Sequence, residues 1–288
     1  MARLTARQQE RRAALRPPPA TPPAVPPAPA AAGEALAMLH RRGFHPKPWR
    51  PDLPFPPDVG ETAQERLARR LDHYAFRLFL RGAIRRASGF RPAEATGYVD
   101  GEAARAMAEE LVDLGLAERA GRAGYRLLHP PRSFGGTLEW YLARELATRL
   151  GFDTAFALRF GAPGVGGDLD VVAAAEGRLL YVEAKSSPPR QLSAEEVSAF
   201  FDRLEALRPD LALFVVDTAL RLGDKVVPML AGELARRTGR SDEPRRVVRE
   251  IWALTPRLFA VGAKGHLGVN LAAAVAEGLR SLSPGCLA

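Results

Sequence analysis

Acidic and basic side chains that could do chemistry are concentrated in residues 166–187, GGDLDVVAAAEGRLLYVEAKSS. Residues 169–175 and 178–184 are rich in aliphatic and β-branched side chains. The intervening Glu176-Gly177 has the composition of a tight turn. The stretch therefore predicts an antiparallel hairpin.

The predicted register of this hairpin brings the charged residues together. With a two-residue loop, Asp170 lies opposite Glu183, and Asp168 lies opposite Lys185. Opposed residues share a face, with Cβ atoms ~4.5–5.5 Å apart, and so do residues two positions apart on one strand. A four-residue loop keeps this arrangement, whereas an unbulged three-residue loop would turn every side chain to the other face. The hairpin predicts three carboxylates and one ammonium group on one face.

Carboxylates this close together either share a proton or hold a cation. Mg²⁺ prefers oxygen ligands and often takes only one or two carboxylates, which leaves positions for water and phosphate. A cation at Asp170 and Glu183 could activate water and stabilise charge on a phosphodiester, and Lys185 would add a positive charge beside it. The alternative is a solvated hairpin face with mixed charges. The apolar residues that flank the charges favour a site.

The pattern Asp-(x)n-Glu-x-Lys on two adjacent strands resembles the signature of the PD-(D/E)xK nuclease superfamily, which has the restriction-endonuclease-like fold. The segment GGDLDVVA…LLYVEAKSS is similar to the Mrr-type branch and to the nuclease domains of CRISPR ancillary effectors. This resemblance implies a nuclease that uses Mg²⁺ or Mn²⁺ on nucleic acid, with DNA preferred over RNA. By position, Asp170 matches the metal-binding aspartate, Glu183 the second acidic ligand and Lys185 the lysine. Leu169 stands where the motif has proline, and Asp168 is the alternative aspartate.

The sequence around the hairpin predicts the αβββαβ order of that fold. An amphipathic helix over 138–150 precedes an alternating strand over 152–160 and then the hairpin. Ser193 and Glu196 form a capping box at the start of the next helix. Residues 211–216 are a continuous apolar run, typical of a buried strand.

A glutamate on the first helix contacts the metal in many members of that superfamily. Glu139 matches its place, Glu145 is the competitor, and an ordinary surface glutamate is the alternative for either. The candidate catalytic residues are Asp170, Glu183, Lys185 and Glu139, and the candidate metal ligands are Asp170, Glu183 and Asp168.

Residues 61–130 have the element order of a winged helix-turn-helix. Predicted helices over 64–86, 91–98 and 101–114 precede a hairpin over 116–128. The third helix is acidic, so phosphate would repel it, and the hairpin is the predicted contact instead. The predicted nucleic-acid-binding residues on the hairpin are Arg119, Arg122 and Arg126. The alternative role of residues 61–130 is packing, or dimerisation that forms a homodimer.

The 288-residue chain has a net charge of +8 and a pI of about 10.2, which indicates a nucleic-acid partner. Residues 1–16 hold five arginines and one glutamate, so half of the excess charge lies in this tail. A proline- and alanine-rich linker follows over 17–32. We divide the chain into a tail and linker (1–60), a winged-helix domain (61–130) and a nuclease-like domain (131–288).

The remaining segments predict supporting structure. The proline-rich residues 44–58 are expected to lie as a strap over the folded chain, with partner docking as the alternative. Residues 161–167 predict a glycine-rich loop beside the site. Beyond residue 217, helices over 224–237 and 271–282 and a strand over 252–262, with Pro256 at a bulge or an edge, are expected to widen the same sheet.

Composition also excludes several classes. The single cysteine, Cys286, excludes an internal disulfide, and no Cys/His spacing indicates zinc. No apolar run reaches membrane-spanning length, and the basic N-terminus lacks the apolar region of a signal peptide. We therefore expect a cytoplasmic protein without a membrane partner.

Overall fold

The computed structural model describes residues 33–159 and 167–283. The arginine-rich tail, Phe160, nearly all of the predicted glycine-rich loop and Cys286 lie outside the described residues. The described part consists of helices packed on a large mixed sheet, so the α/β class is confirmed.

The first elements belong to residues 1–60, the segment predicted as tail and linker, which includes the strap. Helix α1 spans Glu34–Arg41, and strand β1, Lys47–Pro48, pairs antiparallel with an edge of the large sheet. Phe55 packs edge-on against Trp140, with ring centroids 5.1 Å apart. Residues 44–58 therefore lie over their own folded chain, as the strap interpretation predicted.

Helices and one hairpin make up the next part. Its elements are α2 (Glu61–Leu71), α3 (Tyr74–Ile84), α4 (Pro92–Ala95), α5 (Gly101–Asp113), β2 (Ala117–Ala120) and β3 (Gly124–Leu127). The order of helices followed by a hairpin is the one predicted. Whether this part is a separate winged-helix domain stays a prediction.

The predicted single helix over 64–86 is wrong, because the chain breaks at Asp72-His73 between α2 and α3. The Asp72 carboxylate accepts hydrogen bonds from the Tyr141 hydroxyl at 2.9 Å and from the Gly268 amide at 3.2 Å. Because these partners are remote in sequence, no local pattern predicts the break.

The αβββαβ order is present. Its elements are α6 (Gly135–Leu150), β4 (Asp153–Arg159), β5 (Asp168–Ala175), β6 (Arg178–Lys185), α7 (Ala194–Leu207) and β7 (Leu211–Val216). Helix α7 begins with the predicted capping box: Ser193 Oγ accepts from the Glu196 amide at 3.3 Å, and Glu196 Oε2 accepts from the Ser193 amide at 3.0 Å.

The C-terminal elements widen the same sheet, as predicted. They are α8 (Val226–Thr238), β8 (Arg245–Val248), β9 (Ile251–Thr255), β10 (Leu258–Gly262) and α9 (Leu267–Leu282). The predicted single strand over 252–262 is wrong. Pro256 and Arg257 form a turn that joins the antiparallel strands β9 and β10, since proline offers no amide for a continuous ladder.

The large sheet has the strand order β1-β4-β5-β6-β7-β10-β9-β8. Strands β6, β7 and β10 are mutually parallel, and the other pairs are antiparallel. Apolar residues of α6 and α9 cover one face, and those of α1, α7 and α8 cover the other. Among the described residues, no helix is long and apolar enough to cross a lipid bilayer.

The central hairpin has the predicted register. Ala175 pairs with Arg178, and Val171 pairs with Val182. The loop residues Glu176 and Gly177 have φ of 53° and 70°, which is the left-handed geometry of a two-residue hairpin loop. The two-residue alternative is therefore the observed one.

A buried ion pair joins helix α3 to the end of β7. Arg77 Nε donates to Asp217 Oδ1 at 2.8 Å, and Arg81 Nη2 donates to Asp217 Oδ2 at 2.5 Å. The Asp217 amide donates to the Lys185 carbonyl at 2.9 Å. Residues from the helical part are thereby linked, through Asp217, to the strand end that carries Lys185.

Candidate active site

The candidate site lies where the β5–β6 hairpin opens. The ladder ends at Val171 and Val182. Beyond it, the Asp170 carboxylate accepts a hydrogen bond of 2.7 Å from the Ala184 amide of the opposite strand. This bond fixes the carboxylate between the two strands, close to Glu183, although the predicted direct pairing of Asp170 with Glu183 is not among the described pairs.

The environment of Asp170 disfavours its charge. Burial raises the pKa of the Asp170 carboxyl well above its ordinary value, and the Glu183 and Glu139 carboxylates raise it further. The hydrogen bond from Ala184 and the positive charge of Lys185 oppose this rise without cancelling it. Asp170 therefore retains a proton to a higher pH than a solvated aspartate, unless another positive charge enters the site.

Glu139, on the first turns of α6, belongs to the same group. Burial raises the pKa of its carboxyl to about 7, and Asp168 and Glu183 contribute to the rise. The competitor Glu145 lies elsewhere on the helix, where it accepts a 2.9 Å hydrogen bond from Arg149 Nε. Of the two glutamates, Glu139 is the one that the fold brings to the hairpin.

Glu183 is the most enclosed of the carboxylates, with only 2% of its surface exposed. Arg203 Nη2 lies 2.8 Å from each of its two oxygens, and the Tyr181 hydroxyl donates to Oε2. Lys185 Nζ lies 3.1 Å from Oε1. Three donors thus satisfy a buried carboxylate that sequence analysis assigned to metal.

Lys185 bridges two carboxylates. Its Nζ lies 3.1 Å from Glu183 Oε1 and 3.1 Å from Glu196 Oε1. Burial by itself would lower the pKa of the Lys185 ammonium, but the two carboxylates outweigh burial, so the pKa is raised. Lys185 is consequently a fixed cation at this site rather than a base.

Asp168 takes a different place from the predicted one. It is exposed and pairs with Arg159 of β4, while the described pairs of β5 with β6 stop at Val171. The predicted opposition of Asp168 and Lys185 is therefore not formed among the described pairs. Asp168 is near enough to Glu139 to raise its pKa, so it borders the group from the solvent side.

Three residues that no sequence motif indicated complete the site. Tyr181 and Arg203 hold Glu183, and Glu196 holds Lys185. Tyr181 lies two positions before Glu183 on the same strand, so alternation could have placed it on that face. Glu196 and Arg203 lie seven positions apart on α7, a spacing that returns to the same helix face. No local pattern in the sequence indicates that this face of α7 packs against the hairpin.

The donor set fits a hard divalent cation in its chemistry. Glu139 and Asp170 offer carboxylate oxygens whose pKa is raised by burial and then by neighbouring carboxylates, and one or two carboxylates are enough for Mg²⁺. Within residues 33–159 and 167–283, no three side chains of the histidine, cysteine or acidic types form a ready-made metal centre. Glu183, the third carboxylate, is held by Arg203.

The three hairpin arginines predicted to bind nucleic acid differ in whether a carboxylate pairs with them. Arg119 Nη2 lies 2.6 Å from Glu109 Oε2, and Arg126 pairs with Glu118 on the neighbouring strand. Arg122 is exposed and forms no salt bridge within the described part of the chain. Two of the three guanidinium groups are thus already paired with carboxylates.

Comparison with known proteins found partial similarities among solved structures, including the two that follow. No protein-family model and no curated protein matches the chain. Protein VC1899 from Vibrio cholerae is 13% identical, with a TM-score of 0.47, over 84% of this chain and 62% of that one. Can2 from Sulfobacillus thermosulfidooxidans, solved in complex with cyclic tetra-adenylate, is 16% identical, with a TM-score of 0.41, over 63% of this chain and 50% of that one. The chain thus spans less than two thirds of either structure, and the similarity is too weak to carry a function over to it.

Proposed function

We propose that this protein is a metal-dependent nuclease of the PD-(D/E)xK type that hydrolyses phosphodiester bonds. One observation carries the proposal: Glu139, Asp170 and Glu183 come from three different elements, and Asp170, held by the Ala184 amide, is close enough to the other two for both to raise its pKa, beside Lys185. Such clustering of like charges is unfavourable by itself and is characteristic of functional sites. DNA is the proposed substrate in preference to RNA.

In this proposal, Glu139 and Asp170 hold Mg²⁺ or Mn²⁺, and Asp168 borders the site from solvent. The bound ion would supply a water of lowered pKa and charge stabilisation at the phosphate. Glu183 would join the ligands only after exchanging its contact with Arg203. Asp170 and Glu139 would each release the proton that their raised pKa favours, so binding of the ion is coupled to pH.

Lys185 has the role of an electrostatic partner for the developing negative charge on the phosphate. Its ammonium is fixed between Glu183 and Glu196 and is charged over the working pH range, because its pKa is raised. A cation held in advance costs little rearrangement when the charge develops. Glu196 and Glu183 act as positioning residues for Lys185.

A second candidate is a non-catalytic nucleic-acid-binding or assembly protein that keeps the nuclease fold. The specific observation in its favour is the saturation of Glu183 by Arg203, Tyr181 and Lys185. A carboxylate held in this way has no need of a metal for its charge to be balanced. In this second function, hairpin and tail arginines would hold the phosphate backbone, and Lys185 would be one phosphate contact among several.

Cleavage assays on linear DNA, circular DNA and RNA, with and without Mn²⁺, distinguish the two candidates. The nuclease proposal expects Mn²⁺-dependent cleavage by the unmodified chain and a loss of at least about a hundredfold in Asp170→Asn. Asp113→Asn is the matched control, because Asp113 is an exposed aspartate on α5 outside the carboxylate group. Absence of cleavage of every substrate, with nucleic-acid binding intact, would favour the second candidate.

A further inference from the structure

A cavity of about 300 Å³ lies between the β2–β3 hairpin and helix α5, away from the carboxylate group. Its chemistry comes from six side chains: Arg91, Arg105, Arg119, Arg122, Glu109 and Tyr125. Four guanidinium groups face one carboxylate, so three positive charges are left over. The volume is at the lower end of the range of about 300–1,000 Å³ that is usual for ligand pockets.

The single carboxylate of this cavity is already engaged. Glu109 Oε2 accepts from Arg119 Nε at 3.2 Å and from Arg119 Nη2 at 2.6 Å, and Glu109 Oε1 accepts from the Tyr125 hydroxyl at 2.6 Å. The hydrogen bonds from Arg119 and Tyr125 hold the pKa of the Glu109 carboxyl below its ordinary value. Glu109 therefore fixes one wall of the cavity. Arg105 lies near enough to interact with Glu109 and with the Tyr125 hydroxyl, but the three guanidinium groups other than that of Arg119 form no salt bridge with this carboxylate.

Those other groups are Arg91, Arg105 and Arg122. Within the described part of the chain none of the three has a carboxylate oxygen within 4.0 Å, whereas Arg126, on the outer side of the same hairpin, pairs with Glu118. A second acidic residue of α5, Glu110, pairs with Arg70 Nε at 2.7 Å. The sequence predicted that this acidic helix would repel phosphate. The pairing of Glu109 with Arg119 and of Glu110 with Arg70 neutralises part of that negative charge.

We infer that this cavity is a binding site for a phosphate ester. Arginine presents several donors in a planar fork that matches the oxygens of a phosphate, and three arginines without a salt bridge can meet the charge and the acceptors of one phosphate group. The volume suits a single nucleotide and excludes a duplex. Two sources share this chemistry: a free mononucleotide and the phosphorylated end of a nucleic-acid strand.

The test uses the full chain and calorimetry in EDTA at low salt, so that the carboxylate site holds no metal and no substrate is cut. The probes are inorganic phosphate, adenosine 5′-monophosphate, adenosine, and one oligonucleotide with either a 5′-phosphate or a 5′-hydroxyl end. Adenosine 5′-monophosphate is expected to bind where adenosine does not, or the 5′-phosphorylated strand to bind more tightly than its 5′-hydroxyl form. The first result identifies a free nucleotide as the source, and the second identifies a strand end.

Single substitutions separate a built pocket from a generally basic surface. Arg105→Gln and Arg122→Gln each are expected to weaken phosphate-dependent binding by at least about tenfold, since each removes one charged fork from the cavity. Arg280→Gln removes the same charge from the last turns of α9, outside the cavity, and is expected to leave that binding unchanged. All three side chains are exposed, and unchanged melting temperatures without ligand would verify that the fold is intact.

Two results would overturn the inference. One is equal loss of affinity in Arg280→Gln and Arg122→Gln, which would assign binding to diffuse charge. The other is equal affinity for probes with and without a phosphate group. Because the readout is binding without metal, these results are independent of whether the carboxylate site cleaves nucleic acid.

Discussion

Arg203 Nη2 lies 2.8 Å from both carboxylate oxygens of Glu183, in a position where Glu183 is 2% exposed and Arg203 is 7% exposed. The carboxylate that the sequence motif assigns to a metal is thus held by a guanidinium group of helix α7. Burying both charges is costly, and the two depend on each other for compensation. This contact decides how the third carboxylate of the site can be used.

Removal of Arg203 is expected to destabilise the protein. In Arg203→Met, Glu183 keeps Lys185 and Tyr181 but loses its strongest partner, so the free energy of unfolding should fall by about 3 kcal/mol, the lower end for a broken buried pair. Urea unfolding measures this change. Arg236→Met is the control, because Arg236 is 64% exposed and pairs with Glu233 at the surface. A loss no larger than in the control would show that the buried pair is unimportant for stability.

Mn²⁺ is expected to stabilise Arg203→Met more than the unmodified protein. Without the guanidinium group, Glu183 is available to a cation that Glu139 and Asp170 also contact, and ligand binding to the folded state raises its stability. The measurement is the shift in melting temperature with Mn²⁺ concentration. The double variant Arg203→Met/Glu183→Gln should lose the additional shift. Equal shifts in all three proteins would count against a role of Glu183 in metal binding.

Glu139 is expected to make stability depend on pH in a defined direction. Its carboxyl has a pKa of about 7 in the folded protein against an ordinary value of 4.5, so the folded state binds the proton more tightly than the unfolded state. Stability should therefore fall as the pH rises from about 4.5 through about 7 and then level off. Glu139→Gln should remove this part of the pH dependence and be the more stable protein above pH 7, by up to about 3 kcal/mol.

Unfolding at a series of pH values tests this expectation. Glu102→Gln is the control, because Glu102 is an exposed helix glutamate outside the site. A pH profile of Glu139→Gln that overlies that of the control would show that Glu139 is not in the charged group. Addition of Mg²⁺ should flatten the profile of the unmodified protein, since a bound cation replaces the proton.

Replacement of Lys185 separates the enzyme from the binding protein. Lys185→Met keeps the apolar stem and removes the ammonium group between Glu183 and Glu196. Single-turnover cleavage should slow by roughly a hundredfold, while Mn²⁺ still binds. Lys225→Met is the control, because the Lys225 ammonium donates to the carbonyls of Arg190 and Leu192 outside the carboxylate group. Loss of nucleic-acid affinity alone, without any cleavage to lose, would support the second candidate.

Deletion of residues 1–32 is expected to weaken nucleic-acid binding. The first 16 residues hold five arginines and one glutamate, and each phosphate contact that is lost reduces the dependence of affinity on salt. Binding constants at several salt concentrations should give a flatter slope for the shortened chain, with the cleavage chemistry unchanged. An unchanged slope would show that the tail does not contact phosphate.

The sequence by itself determined the local elements of the site. Alternation and the Glu176-Gly177 loop specified the hairpin and its register, because a loop of two residues and a period of two leave one arrangement of the side chains. The Ser193 capping box marked the start of α7, since it is a contact between residues three apart. The proximity of Asp170 to Glu183 follows from these local rules.

Only the tertiary structure decided how the charges are balanced. The pairing of Arg203 with Glu183, the bridge from Lys185 to Glu196, and the choice of Glu139 over Glu145 depend on how α6 and α7 lie on the sheet. The break at Asp72-His73 likewise follows from contacts with Tyr141 and Gly268, far along the chain. Periodicity tells which face of a helix is buried, but the partner of a buried charge is set by packing between elements, which no spacing in one sequence records.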